Sequence, residues 1–411
     1  MKYISHIKHN ILLFLLKRKI FFFNNSLNRY LNLKFRKFYN FEQFKKTNKV
    51  TIISTSQTNY HYCKPVYHTN NRSNEVSEIN ENNFHKKDVN YMIFNNCIIR
   101  GNSNVIFIDD LHAYYEQLEI SSPDRFFFTD EGIRVANTKF LFTKIYNNPK
   151  YIDEGINFLR CFSWNYYHML YEVIAKFYWV ERFSIPLEIP IILDDIILQV
   201  PQFKELLNFF NNKKREVIAI DRGEDIVVGK LYQLPTTLLA PPNYKKISSI
   251  RGDDFLFQKE SIFFLREKLL ELKTSGFFHK KIFLSRKKAS KRRSYNESEV
   301  FNCLKEFGFV KIFMEDYSIK DQVNIFNNAD IIVGATGAAF SNIISCSKFA
   351  KILCLTNYDI PFGAFSTIAD ILDLDMVYLN DKSIKINKNS DLHDSFEVDI
   401  RSLKEYMLTN F

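Results

Sequence analysis

With 411 residues, 46% of them apolar, the chain is longer than one hydrophobic core usually serves, so two domains and an appendage are expected. Lysine and arginine number 56 against 46 acidic residues, a net charge of +10 that attracts anions without choosing among nucleic acid, acidic lipid and phosphorylated small molecules. The six cysteines are scattered, with no CxxC pair, which argues against a structural zinc site and for a reduced, cytosolic chain.

Residues 1–48 form a basic, aromatic extension. Its apolar run, Ile11 to Leu16, is broken by Lys17, Arg18 and Lys19, too short to span a bilayer, and no small-residue cleavage site follows. Two readings stay open: an amphipathic segment lying on an anionic membrane face, and a helix packed on the protein's own core. A first domain, 49–244, opens on the strand-like TIIST after Val50. The polar stretch Asn70 to Asn90 predicts an exposed loop. YMIFNNCIIR and NVIFIDD predict strands separated by a turn at Gly101 and Asn102, with short strands after them in FFFTDEG and IRVANTKFLF.

From Cys161 to Phe183 the period is helical. Leu170, Val173, Ile174 and Phe177 share one face, while His168, Glu172, Ala175 and Trp179 share the opposite one. Asn165 can cap the start, which places His168 in the first turn and a carboxylate one turn later. The flanking Trp164, Tyr166, Tyr167, Tyr171 and Trp179 are flat apolar surfaces of the kind that stack on sugars and bases. IPIILDD, PQFKELLNFFN and REVIAID continue as strand, helix and strand, and Pro241 with Pro242 marks the edge of the domain.

The second domain, 245–411, alternates strand and helix, which predicts a parallel sheet flanked by helices, an α/β fold. KIFLS is a strand; Asn296 with Glu299 reads as a capping box, Gly308 as a helix stop and FVKIFM as the next strand. Ser318 with Asp321 opens another helix, and Ile331 to Val333 is a central strand running into VGATGAAFSN. Gly334 and Gly337 allow a tight turn whose amides, at the start of the helix from Ala338 to Cys346, can face an anion. The spacing is neither GxGxxG nor a P-loop, and close strand-helix packing would explain the glycines as well as ligand binding. Arg286 to Arg293 is a basic cluster directly after KIFLS, where a diphosphate would be met, and Arg286 and Arg293 are the members to which a role is given. Either His168 or Glu172 can be tuned to act as a general base.

Together these motifs resemble a known family. RKKASKRRSYNESEV from Arg286, continuing through Gly308, Phe309, Asp321 and Gln322 to GATGAAFSN, resembles the C-terminal signature of glycosyltransferase family 61. WNYYHMLYEV resembles its N-terminal Asn-aromatic-His motif. The resemblance implies an inverting glycosyltransferase of GT-B arrangement: two Rossmann-like domains facing across a cleft, a nucleotide-sugar donor, no bound metal and no other cofactor. Arg286, Arg293, Asn296 and Glu297 match the family's Arg-Arg-Asn-Glu pattern, Gln322 its helix glutamine, and Gly334, Gly337, Ala338 and Asn342 its glycine turn. Asn165, His168 and Glu172 match the N-terminal motif, with Asn165 and Tyr167 placed on the substrate. Thr336 departs from the histidine that many relatives carry between the glycines; threonine can hydrogen-bond a phosphate but cannot titrate.

The expected activity is transfer from a nucleotide sugar to a glycan or glycolipid hydroxyl in surface-polysaccharide synthesis, by a cytoplasmic protein with membrane contact through its N-terminal arm. Two alternatives are a nucleic-acid-binding protein, set lower because no RRM, KH or helix-turn-helix signature is present, and an inactive relative that binds nucleotide sugar.

Overall fold

The computed structural model describes residues 33–39, 43, 48–68, 85–116, 130–136, 139–144, 149–240, 254–276, 278–288, 294–356, 363–380 and 395–411. Most of the N-terminal arm, Pro241, Pro242 and Arg293 lie outside them. Among the described residues no helix is long and apolar enough to cross a membrane.

Two sheets organise the chain. The smaller has six strands in the order Val310–Ile312, Lys281–Leu284, Ile331–Ala335, Lys351–Thr356, Asp375–Asn380 and Tyr67–His68, all parallel. Its first five strands run 2-1-3-4-5 in chain order, so the order reverses between Lys281–Leu284 and Ile331–Ala335. In a doubly wound sheet that reversal opens a crevice outside the carboxyl ends of the two strands. The strands are almost wholly buried, as a parallel sheet covered on both faces requires. Local signals hold here: Ser318 accepts from the Asp321 amide at the start of Ile319–Asn328, and Gly308 ends the preceding helix at φ +82°.

The larger sheet has thirteen strands and is mixed. Lys150–Asn157 lies between Ile191–Asp194 and Asp225–Gln233, parallel to both, and Val217–Ile220 extends this parallel part. Beyond Asp225–Gln233 the pairing turns mainly antiparallel through His85–Arg100. The first domain is therefore only partly Rossmann-like. Two stretches differ from their sequence reading: residues 85–90 are strand, paired from His85 with Tyr60, and Leu33–Phe38 of the basic extension is a strand paired with Phe140–Lys144. Cross-strand pairing supplied the partners that local polarity did not reveal. Leu256–Gln258, beyond the expected division at 244, pairs into this sheet, while Tyr67–His68 joins the other.

One hydrophobic core runs through both sheets: Ile156, Ile191 and Leu193 come from the first, Ile282, Ile332 and Ile352 from the second, and Leu170, Ile174 and Phe340 fill the space between. On the far face of the small sheet, Val300 and Leu304 meet Leu403 and Met407 of the last helix. Phe340 is fully buried at the junction, so Phe340→Ala should lower the urea-unfolding free energy by about 3–5 kcal/mol. Phe349→Ala, at a side chain 79% exposed, should change it by less than about 0.5 kcal/mol.

Candidate active site

Strand Lys281–Leu284 delivers Ser285 and Arg286 to the crevice, and strand Ile331–Ala335 delivers Thr336 and Gly337 beside them. Arg286 Nη1 donates to the Thr336 carbonyl at 2.7 Å. A Cβ on Gly337 would stand 1.5 Å from that nitrogen, so this glycine makes room for the guanidinium. Its φ of 168° is ordinary extended backbone; space is the constraint. Gly334 answers a different need, because a Cβ there would sit 2.8 Å from Leu284 Cβ in the paired strand. Thr336 is buried and bonds Arg286 through its main chain, a contact any residue can make.

Glu297 is buried and holds the turn: its carboxylate accepts from Ser285 Oγ at 2.6 Å and from the Arg286 amide at 3.1 Å. Asn296 clamps the chain's end, accepting from the Val398 amide at 2.8 Å and donating to its carbonyl at 3.0 Å. Arg286, Lys287, Tyr295, Asn296 and Glu297 line an open pocket of about 250 Å³ at the start of helix Glu297–Glu306. Ser294, Ser298 and Glu299 complete its lining, so it carries two cations, Arg286 and Lys287, and two carboxylates, Glu297 and Glu299. Ala338 is partly buried against the main core.

The segment expected as one α-helix from Asn165 is instead α-helical at Tyr166–His168, a π-turn at Met169–Val173, a 3-10 turn at Ile174–Lys176 and α-helical again at Phe177–Arg182. Asn165 caps it by accepting from the Tyr167 amide. Tyr167, Tyr171, Ala175 and Trp179 are buried, so the face opposite the apolar stripe is also packed, and of the predicted aromatic set Trp164 and Tyr166 are the partly exposed ones. A segment buried on every side needs a partner for each polar group.

His168 keeps 21% of its side chain exposed, and its Nδ1 lies 2.6 Å from Glu172 Oε2. The other oxygen of Glu172, Oε1, accepts from Arg160 Nη2 at 2.8 Å. Burial alone would raise the Glu172 pKa; the Arg160 guanidinium and His168 outweigh it and hold the carboxylate at about 2. A carboxylate can only accept, so His168 Nδ1 carries the proton and Nε2 is left as the acceptor. Burial likewise pushes Lys176 down to about 7, with Arg160 adding to the effect.

The two groups of predicted residues meet through hydrogen bonds. Tyr166 Oη donates to Asn342 Oδ1 at 2.8 Å, the Asn342 amide donates to Gln322 Oε1 at 3.0 Å, and Gln322 donates to the Met314 and Tyr317 carbonyls. Tyr171 Oη donates to the Ser341 carbonyl at 2.8 Å. Asn342 and Gln322 are thus joints between the two halves. Arg160 escaped the sequence reading, although it is the one permanently charged residue between Gly155 and Tyr171. Thr236 and Asp194, which bond it, carried no such signal.

A glycine-shaped crevice carrying Arg286 at the end of a parallel strand, joined through the Tyr166–Asn342 bond to a partly exposed histidine on a buried carboxylate, is the candidate site of this α/β protein. Residues 166–353 match the family model Glycosyltransferase 61, which supports the resemblance to that family. That family suggests glycosyltransferase activity. No curated protein matched the chain.

The His168–Glu172–Arg160 contacts have a consequence for stability. Because the Glu172 pKa is depressed from 4.5 to about 2, its stabilisation is complete above pH 4.5 and is lost as the pH falls toward 2. Urea unfolding at a series of pH values should show stability falling through this window, and Glu172→Gln should remove that part of the slope. An unchanged slope would contradict the charge assignment.

Proposed function

We propose that the chain is an inverting glycosyltransferase of GT-B type that moves a sugar from a nucleotide-sugar donor to a hydroxyl of a glycan or glycolipid. The observation that carries this reading is the hydrogen-bonded seam from Tyr166 to Asn342, which sets the histidine motif beside the glycine turn. The parallel parts of the two sheets stand in for the paired Rossmann-like units. The donor diphosphate lies on Arg286 and the turn from Gly334 to Ala338 and requires no metal; Arg293, outside the described residues, is the second arginine that the resemblance assigns to it. Asn165 and Tyr167 shape the acceptor side from behind, since the first is a cap and the second is buried.

His168 Nε2 takes the proton from the acceptor hydroxyl while Nδ1–H stays on Glu172. The acceptor oxygen bonds to the anomeric carbon as the bond to the diphosphate oxygen breaks on the opposite face. The diphosphate leaves with that electron pair and its new charge is met by Arg286 and the turn amides. Synthesis of a surface polysaccharide at the cytoplasmic side of a membrane fits a basic chain whose acceptor is a glycan or glycolipid.

A thermal-shift panel of nucleotide sugars identifies the donor, because a ligand that binds only the folded state raises the melting temperature. With that donor, His168→Ala should lower transfer by about 10²–10⁴-fold while leaving nucleotide affinity nearly unchanged. Arg286→Ala should weaken nucleotide binding by about tenfold or more in calorimetry. Full transfer by His168→Ala would remove the base, and unchanged affinity in Arg286→Ala would remove the donor site.

A further inference from the structure

Glu172 divides its oxygens between two partners, and the second of them, Arg160, is outside the segment that matches the family. Arg160 leaves the carboxyl end of strand Lys150–Asn157 and is 4% exposed. Its Nη2 donates to Glu172 Oε1 at 2.8 Å and to Thr236 Oγ1 at 3.1 Å. The Thr236 hydroxyl spends its own proton on the Leu238 carbonyl at 3.0 Å, so toward Arg160 it can only accept. The backbone amide of Arg160 donates to Asp194 Oδ2 at 3.1 Å, which pins the residue at its other end. The guanidinium is therefore oriented by groups that have no freedom of their own.

A buried arginine is expensive unless paired, and replacing such a pair by apolar residues is often neutral or stabilising. Its value here lies in what the pair touches. We propose that Arg160 is a positioning residue of the transfer reaction: it locks the Glu172 carboxylate and thereby sets the tautomer and proton affinity of His168. This rests on His168 being the base. The groups facing the pair include Glu116, Asp130, Lys176 and Asp194, together with Tyr60, Tyr115 and Tyr167. Arg160 is the cation hydrogen-bonded to Glu172, so its loss is felt most directly at the His168–Glu172 pair. Whichever of the two groups takes it, the first proton the pair accepts is then held more tightly, because a neighbouring positive charge has gone.

The test is NMR titration of the full chain with labelled histidine, the His168 signals being assigned by their absence in His168→Asn. In Arg160→Gln the first titration step at His168 should move to higher pH by about one unit or more, and Arg160→Lys, which keeps the charge, should restore most of it. Thr236→Val, near-isosteric and uncharged, covers the case in which Arg160→Gln does not fold. It removes one of the two acceptors that fix Arg160 Nη2, so the guanidinium and the Glu172 carboxylate bonded to it can turn together away from Nδ1, and the neutral His168, held with its proton on Nδ1 in the wild type, should then show a mixture of both ring tautomers in its nitrogen shifts. A folded Arg160→Gln with an unmoved His168 titration, or a Thr236→Val with an unmixed tautomer, overturns the proposal and leaves Arg160 as a structural tie. The readout needs no turnover, so it stands apart from the activity assay: coupling seen here beside full transfer by His168→Ala would overturn the base reading, and with it this role for Arg160.

Discussion

The packing of segment Tyr166–Lys176 against the 3-10 helix Ala338–Ser345 is the contact on which the two halves depend. Tyr166 and Tyr171 each send a hydroxyl across it, and Phe340 fills the apolar space beneath. A neutral hydrogen bond contributes only about 0.5–1.5 kcal/mol net, but leaving a buried partner unmade costs more. The seam therefore specifies position more than it stabilises. Asn342, pulled by Tyr166 on one side and by Gln322 on the other, has one orientation that satisfies both, and this sets how the glycine turn meets the histidine motif.

Around that contact each half uses the same device, a charged side chain at the carboxyl end of a parallel strand held by buried carboxylate or carbonyl partners. In the small sheet Glu297 holds the Arg286 amide and the Thr336 carbonyl holds its guanidinium. In the large sheet Asp194 holds the Arg160 amide and Glu172 holds its guanidinium. The outcomes differ because of what lies next to each. Arg286 borders an open pocket, whereas Arg160 is enclosed and its charge meets Glu172, the carboxylate that also bonds His168.

How much of this was legible follows from the range of the forces involved. The second domain could be read because its signals are local: Ser318 caps, Gly308 stops, and each short apolar run between helices is a strand of a buried parallel sheet. The large sheet could be read only in part: the apolar runs from Val50, Tyr91, Ile191 and Val217 are strands as expected, but the strand at 85–90 is polar and is made by partners in Val50–His61, while Leu33–Phe38 finds its neighbour more than a hundred positions away. Residue types at the site were legible and their tasks less so. Asn296 and Asn342 read as ligand contacts and Gln322 only as a motif match, because polar residues in a motif look alike; their amides bond the Val398 backbone, the Met314 and Tyr317 carbonyls, and each other. Periodicity placed His168 and Glu172 correctly one turn apart, but could not show that a π-turn follows His168 and carries Glu172 into the interior.

That π-turn explains why the carboxylate can serve the histidine at all. A regular helix with Glu172 on a solvated face would leave a His–Glu pair exposed, screened and free to exchange partners, and such pairs contribute about 0–1 kcal/mol. Widening the backbone over Met169–Val173 accompanies a Glu172 that is 3% exposed while His168 keeps its outer edge open. Burial strengthens the interaction and would by itself neutralise Glu172, so the buried carboxylate needs a second cation. Arg160 supplies it. The cost of burying that cation is met by Thr236 and Glu172, and what it secures is a His168–Glu172 contact of fixed orientation, the condition that electrostatic preorganisation sets for the base proposed at His168.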